Sequence, residues 1–263
     1  MLSLIPISDV NPTRRFPIVT VTLIAANIAA FFYSLNASGG RLTRYFFEHA
    51  PVPCQLANEC PGQLGFGPGN VIDVPTRGFG SFLVAVLVST FLHANLLHIA
   101  GNMLFLWVFG NNVEDWLGRG KYVAFYLAGG IIAAFAHVAW SLVTSPARAI
   151  CTQADFGACV PAVGASGTVA AVMGAYLVLY PRARVNVLVP IFFLLTMIQM
   201  SAFAVLGLWF VYQFLIGLQE LAGPSGVAWT AHVGGFVYGL VLIFLLGGRP
   251  HRRPSRWVPR YRY

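Results

Sequence analysis

The chain has 263 residues, of which 57% are hydrophobic and only 9% charged, with a formal net charge of +8. Soluble domains carry about a quarter charged residues, so the composition excludes an ordinary soluble fold and indicates a polytopic helical membrane protein. In such a chain the excess of arginine reads as a topology signal, not as a nucleic-acid surface.

Residues 1–15 form an N-terminal segment that ends in Arg14 and Arg15. Met1–Thr13 lacks a basic region, a short apolar core and an Ala-x-Ala cleavage site, so the first apolar run is expected to be a retained span. A span needs about 20 mainly apolar residues, and six are expected along the chain. The first is Phe16–Leu35. An apolar stretch from Phe82, read as a membrane-dipping segment, leads into the second at Leu96–Trp116. The third is Tyr122–Val143 and the fourth Val163–Tyr180. The apolar stretch Val185–Ile198, expected in the membrane interface, precedes the fifth at Met200–Leu221. The sixth is Val227–Leu246. Together they predict an all-α, six-transmembrane-helix bundle over residues 16–248, followed by a basic tail at 249–263.

With both termini in the cytoplasm, the inner segments hold Arg14, Arg15, Arg119, Lys121, Arg182, Arg184 and six tail arginines. That is twelve of the sixteen basic residues. The positive-inside rule therefore favours this orientation, in a plasma or inner membrane. It puts Cys54 and Cys60 in one outer loop and Cys151 and Cys159 in another, where disulfides persist. Pairing within each loop is the simplest connectivity, and cross-loop pairing stays open. The spacings are not those of zinc knuckles, so no metal is expected.

The polar residues of the spans carry the chemistry. Three of the six runs (the second, fourth and sixth) cross from outside to inside, and each has polar residues near its start. His98 and Asn102 stand four apart on one helix face; Ser166 and His232 open the other two runs. Their shared shallow depth makes a cluster, and intramembrane polar residues are functional candidates. A serine hydroxyl becomes nucleophilic beside a base, usually histidine. Backbone N–H groups at a helix start suit a developing oxyanion, and His98 and Asn102 supply further donors. With no Asp or Glu in the interior of a span, the expectation is a Ser166–His232 dyad. Gly235 and Gly239 share the face of His232, and Gly167, Ala170, Ala171 and Gly174 offer a matching small-residue surface, allowing close helix approach. His137, in the third span, is expected to be structural, and Asp155 a solvated loop charge.

Three segments carry a resemblance. Gly164-Ala165-Ser166-Gly167 fits G-x-S-G; Ala231-His232 with Gly235 and Gly239 fits A-H-x-x-G-x-x-x-G; His93, His98 and Asn102 fit H-x-x-x-x-H-x-x-x-N. In this the chain resembles the rhomboid family of intramembrane serine proteases, over about Phe82–Leu246. The resemblance implies a six-helix bundle of rhomboid type whose site opens to the extracytoplasmic face. It implies Ser166 as nucleophile, His232 as base, and His98 and Asn102 in the oxyanion hole, with His93 structural. It implies no metal or organic cofactor, and membrane-anchored proteins in the lipid bilayer as substrates. Many members carry an aromatic four residues after the serine, packed on the catalytic histidine. Here that position is Ala170, so another neighbour, Tyr238 or Phe236, is expected to orient His232. The Trp-Arg pair common in the family's first outer loop is also absent. The basic tail is expected to anchor topology, with weak contact to anionic lipid. A transporter would need a polar path through the midplane or repeated halves, and the sequence has neither. An inactive rhomboid-like protein would lack the serine or histidine.

Overall fold

Each expected span folds as a helix: α1 (Ile18–Ala37), α4 (Leu96–Leu117), α5 (Arg119–Thr144), α6 (Ser166–Leu179), α7 (Ala202–Glu220) and α8 (Trp229–Leu245). These come from a computed structural model, which describes residues 5–58, 60–65, 71–144, 159–191, 194–220 and 228–249. Cys151, Asp155 and the tail beyond Arg249 lie outside the described residues. By length and composition α1, α4 and α5 are long and apolar enough to cross a membrane, while α6, α7 and α8 are apolar but shorter in the described residues.

Helix α6 occupies the centre. Every residue from Gly167 to Tyr176 is buried, which an apolar helix without a polar face requires of its surroundings. It packs on α8, α4 and α5. Against α8 the backbones nearly touch. A Cβ on Gly235 would strike the carbonyl of Gly167, one on Gly239 that of Ala171, and one on Gly174 that of Phe236. Without a hydrophobic driving force between helices in lipid, such close van der Waals contact is what small residues provide.

The stretch from Phe82 forms a helix of its own, α3 (Phe79–Ser89), ahead of α4. One region departs from the expected layout. The interfacial stretch is a β-hairpin, β4 (Arg184–Ile191) with β5 (Leu194–Ser201), and β1 (Ile5–Asp9) completes an antiparallel sheet of order β1-β4-β5. The fold is therefore helical but not all-α. Alternation explains the hairpin: Val185, Val187 and Val189 point into the core, while Asn186 between them bonds Ser8 and Gln199 across the sheet. A period of two in β-branched residues is a strand pattern.

Buried polar contacts set the two ends of the bundle. Glu114, in the last turn of α4, accepts from Val19 N, Thr20 N and Thr20 Oγ1 at 2.8–3.0 Å, and so caps α1. Asp9 accepts from Tyr176 Oη at 2.6 Å and Asn112 Nδ2 at 2.9 Å. The N-terminal segment, the α4–α5 corner and the hairpin thus share one end. The first turns of α4, α6 and α8 share the other, with the connection between α1 and α4. That connection holds α2 (Leu42–His49), the two-stranded sheet of β2 (Gln63–Gly65) and β3 (Val71–Asp73), and the Cys54–Cys60 disulfide. Cys159 is also disulfide-bonded and packs in the same small core as Cys54, Leu64 and Ile72.

Candidate active site

Three helix starts meet at that second end. On α4, Asn95 is the N-cap, its side chain accepting from His98 N at 2.9 Å. This cap satisfies an orphan amide and sets His98 in the first turn, with Asn102 one turn deeper and buried. Asn102 Nδ2 is buried without a hydrogen-bond partner.

Ser166 is the first residue of α6. The chain enters through Gly164 at φ +122°, a conformation side chains disfavour. A Cβ there would also lie 2.7 Å from His98 Cε1. Gly164 therefore brings the serine's turn against the ring of His98, whereas Gly167, Gly235 and Gly239 make the contact between helices. The approach is pinned by Gly164 N donating to Ser89 O at 3.0 Å and by Ala165 N directed at His93 Nε2 at 3.5 Å. With Nε2 accepting, Nδ1 of His93 is the donor to Phe91 O, at 3.3 Å. Buried His93 is thus a support beneath the serine turn, its ring edge-on to His98 at 5.2 Å.

From α8, His232 Nε2 lies 2.8 Å from Ser166 Oγ, and its Nδ1 lies 2.7 Å from Gln213 Oε1 on α7. An amide oxygen only accepts, so Nδ1 carries the proton and Nε2 presents its lone pair to the serine hydroxyl. Chemically this is a hydroxyl aligned on a neutral base at a helix start, the geometry of an activated nucleophile. Among the described residues no group of three His, Cys, Asp or Glu side chains is arranged to hold a metal ion.

The neighbours of His232 differ from those expected in place of the aromatic missing at Ala170. Tyr238 stacks on Phe125 at 5.4 Å, and Phe236 stacks on Phe210 at 4.6 Å. The groups at His232 are Gln213 and the ring of Trp209, whose centroid is 5.9 Å away. Gln213 was open to detection: it is the one amide among the apolar residues between Ala202 and Gly217, and polar groups in such helices need partners. His137 on α5 has a partner too, with Nδ1 3.2 Å from Thr230 Oγ1 in the first turn of α8.

The family model described as Rhomboid domain matches residues 81–249. A presenilin-associated rhomboid-like protein A, mitochondrial, from Danio rerio is 29% identical over 160 residues, 59% of this chain and 35% of that protein. RHOMBOID-like protein 12, mitochondrial, of Arabidopsis thaliana is 30% identical over 156 residues, 58% and 43% respectively. Rhomboid protease GlpG of Pectobacterium atrosepticum is 32% identical over 153 residues, 58% and 45%. The matched region therefore spans less than half the length of each of these relatives.

Proposed function

The chain belongs to the rhomboid family of membrane proteins, and on that premise we propose that it is an intramembrane serine endopeptidase. It hydrolyses peptide bonds in or near the transmembrane segments of membrane-anchored proteins. The observation that carries this reading is the 2.8 Å approach of Ser166 Oγ to His232 Nε2.

In the proposed reaction Ser166 Oγ attacks the scissile carbonyl carbon while His232 Nε2 takes the hydroxyl proton. The carbonyl π electrons move to oxygen, and the oxyanion is met by the Ser166 N–H, Asn102 Nδ2 and His98. The unpartnered Asn102 amide supports that assignment, because a donor held ready for charge that develops later needs no reorganisation. His232 then gives its proton to the leaving nitrogen as the C–N bond breaks. Water, deprotonated by the same histidine, attacks the acyl-serine, and Ser166 recovers its proton as the ester bond breaks.

The orientation follows the arginines. We place the end holding Arg14, Arg15, Arg119, Lys121, Arg182 and Arg184 in the cytoplasm, with six helices crossing and the site opening to the opposite side. One experiment tests the activity: purified protein in liposomes with a model single-span substrate. Cleavage is expected for the wild type, and its loss in both Ser166→Ala and His232→Ala. Equal cleavage by either variant contradicts the dyad.

A further inference from the structure

We infer that Gln213 is a positioning residue for His232: its side-chain carbonyl fixes the proton on Nδ1 and aims Nε2 at Ser166. The inference rests on the hydrolase reading for what His232 does, and on the hydrogen bond alone for what holds it.

Gln213 is turned inward on α7, at the helical spacing of Ala202, Leu206 and Gly217, which are also buried. It is 3% exposed, while its neighbours Val211, Phe214 and Leu215 are 55%, 46% and 54% exposed. An amide directed away from lipid in this way is seated against a specific partner, and that partner is His232 Nδ1 at 2.7 Å. One turn earlier on the same face, Trp209 lies beside the imidazole ring. Two residues four apart on α7 therefore bracket the base, one at its proton-bearing edge and one at its ring.

The register of α7 that makes this possible is held by aromatic packing on α8. Phe210 stacks on Phe236 at 4.6 Å and Trp209 on Phe236 at 6.0 Å. Phe214 meets Trp229, and Gly217 lies where any Cβ would fall within 2.7 Å of the Trp229 ring. A sliding of α7 by one residue would rotate Gln213 away by about 100°, so these contacts and the hydrogen bond specify the same alignment.

The chemistry needs such a group. A neutral imidazole has two tautomers, and only the one protonated at Nδ1 can take the serine proton at Nε2. When Nε2 is protonated in the transition state, the Nδ1–H···O bond becomes charge-assisted and strengthens. Gln213 thus acts on the base more in the transition state than before it. Among the described residues, the other titratable side chains acting on His232 are His98 on α4 and His137 on α5, and neither offers an anionic acceptor.

The test uses the full chain in detergent, with Gln213→Leu and Gln213→Glu. For Gln213→Leu, kcat is expected to fall about 10- to 100-fold with KM little changed, a smaller loss than the roughly 10⁴-fold seen when a triad carboxylate is replaced. Gln213→Glu restores an acceptor and is expected to recover activity, with the acid limb of the kcat profile moved to higher pH. Equal kcat and equal pH profiles in wild type and Gln213→Leu would overturn the inference, and so would equal losses in the two variants. Nitrogen-15 NMR of His232 reads the same bond without turnover. The wild type is expected to show a protonated Nδ1 and a bare Nε2, and Gln213→Leu a mixture. A proton resident on Nε2 in the wild type overturns the inference even if no variant folds. If His232 shows the expected tautomer and Ser166-dependent cleavage is absent, the hydrolase reading falls and the positioning stands.

Discussion

Gly239 on α8 lies directly against the carbonyl of Ala171 on α6, so that a single added methyl would overlap the backbone oxygen. One turn nearer the site, Gly235 does the same to Gly167, the residue after Ser166. The helix contact and the alignment of His232 on the serine are therefore one structural feature.

Gly235→Ala and Gly239→Ala are each expected to push α8 off α6. Overpacking of this kind costs about 1–3 kcal/mol, read as a lower thermal midpoint in detergent. Displacement of the base by about 1 Å is expected to reduce cleavage about 100-fold. Gly239→Ala with wild-type cleavage would separate the contact from the site. Gly101→Ala on α4, where a Cβ meets nothing within 4 Å, is the control and is expected to keep activity.

Asn102→Ala should separate catalysis from binding. As a proposed oxyanion donor, its loss is expected to lower kcat by about 10²–10³-fold with little effect on KM. A change confined to KM would remove Asn102 from the transition state. Steady-state kinetics with a fluorogenic single-span substrate makes the distinction.

Glu114 works at the far end of the bundle. Its carboxylate takes two backbone amides and one hydroxyl of α1. Glu114→Ala leaves those buried donors unpaired, at about 1–3 kcal/mol each at most. The thermal midpoint is expected to drop, with kcat per folded molecule unchanged. Thr20→Val combined with Glu114→Ala is expected to be less than additive, because both remove one shared bond.

Asp9 makes stability depend on pH. Burial, the largest influence, raises its pKa from 3.8 to about 6, against the opposing hydrogen bonds from Tyr176 and Asn112. A carboxyl with a raised pKa binds its proton more tightly in the folded state. Its stabilising contribution is complete below the unfolded pKa and lost as pH rises through about 6. Thermal unfolding of the wild type should therefore show a decline across that window that Asp9→Asn flattens. An unchanged slope in Asp9→Asn would place the dependence elsewhere.

Much of this arrangement is legible from residue patterns. Long apolar runs mark the helices because lipid leaves few ways to satisfy a backbone. Ser166, His98, Asn102 and His232 stand out because each is polar near the start of an apolar helix. The β-hairpin is harder to see, since a short apolar run such as Val185–Ile198 fits a strand, a helix or an interfacial segment equally by hydropathy. Its identity depends on β1, which arrives from the distant N-terminus to pair with β4. Gln213 escapes local reading for a related reason. Its partner is chosen by how α7 packs on α8 through Phe210, Phe236 and Trp229, and no motif around His232 encodes that helix's rotation.

The central claim is that Ser166 is a nucleophile activated by His232, and covalent labelling tests it most directly. The solubilised protein is treated with a fluorophosphonate and the adduct located by peptide mass spectrometry. The account predicts a single phosphonylated residue, Ser166, with labelling abolished in Ser166→Ala and strongly slowed in His232→Ala. Undiminished labelling of Ser166→Ala, or equal rates in the wild type and His232→Ala, would contradict it.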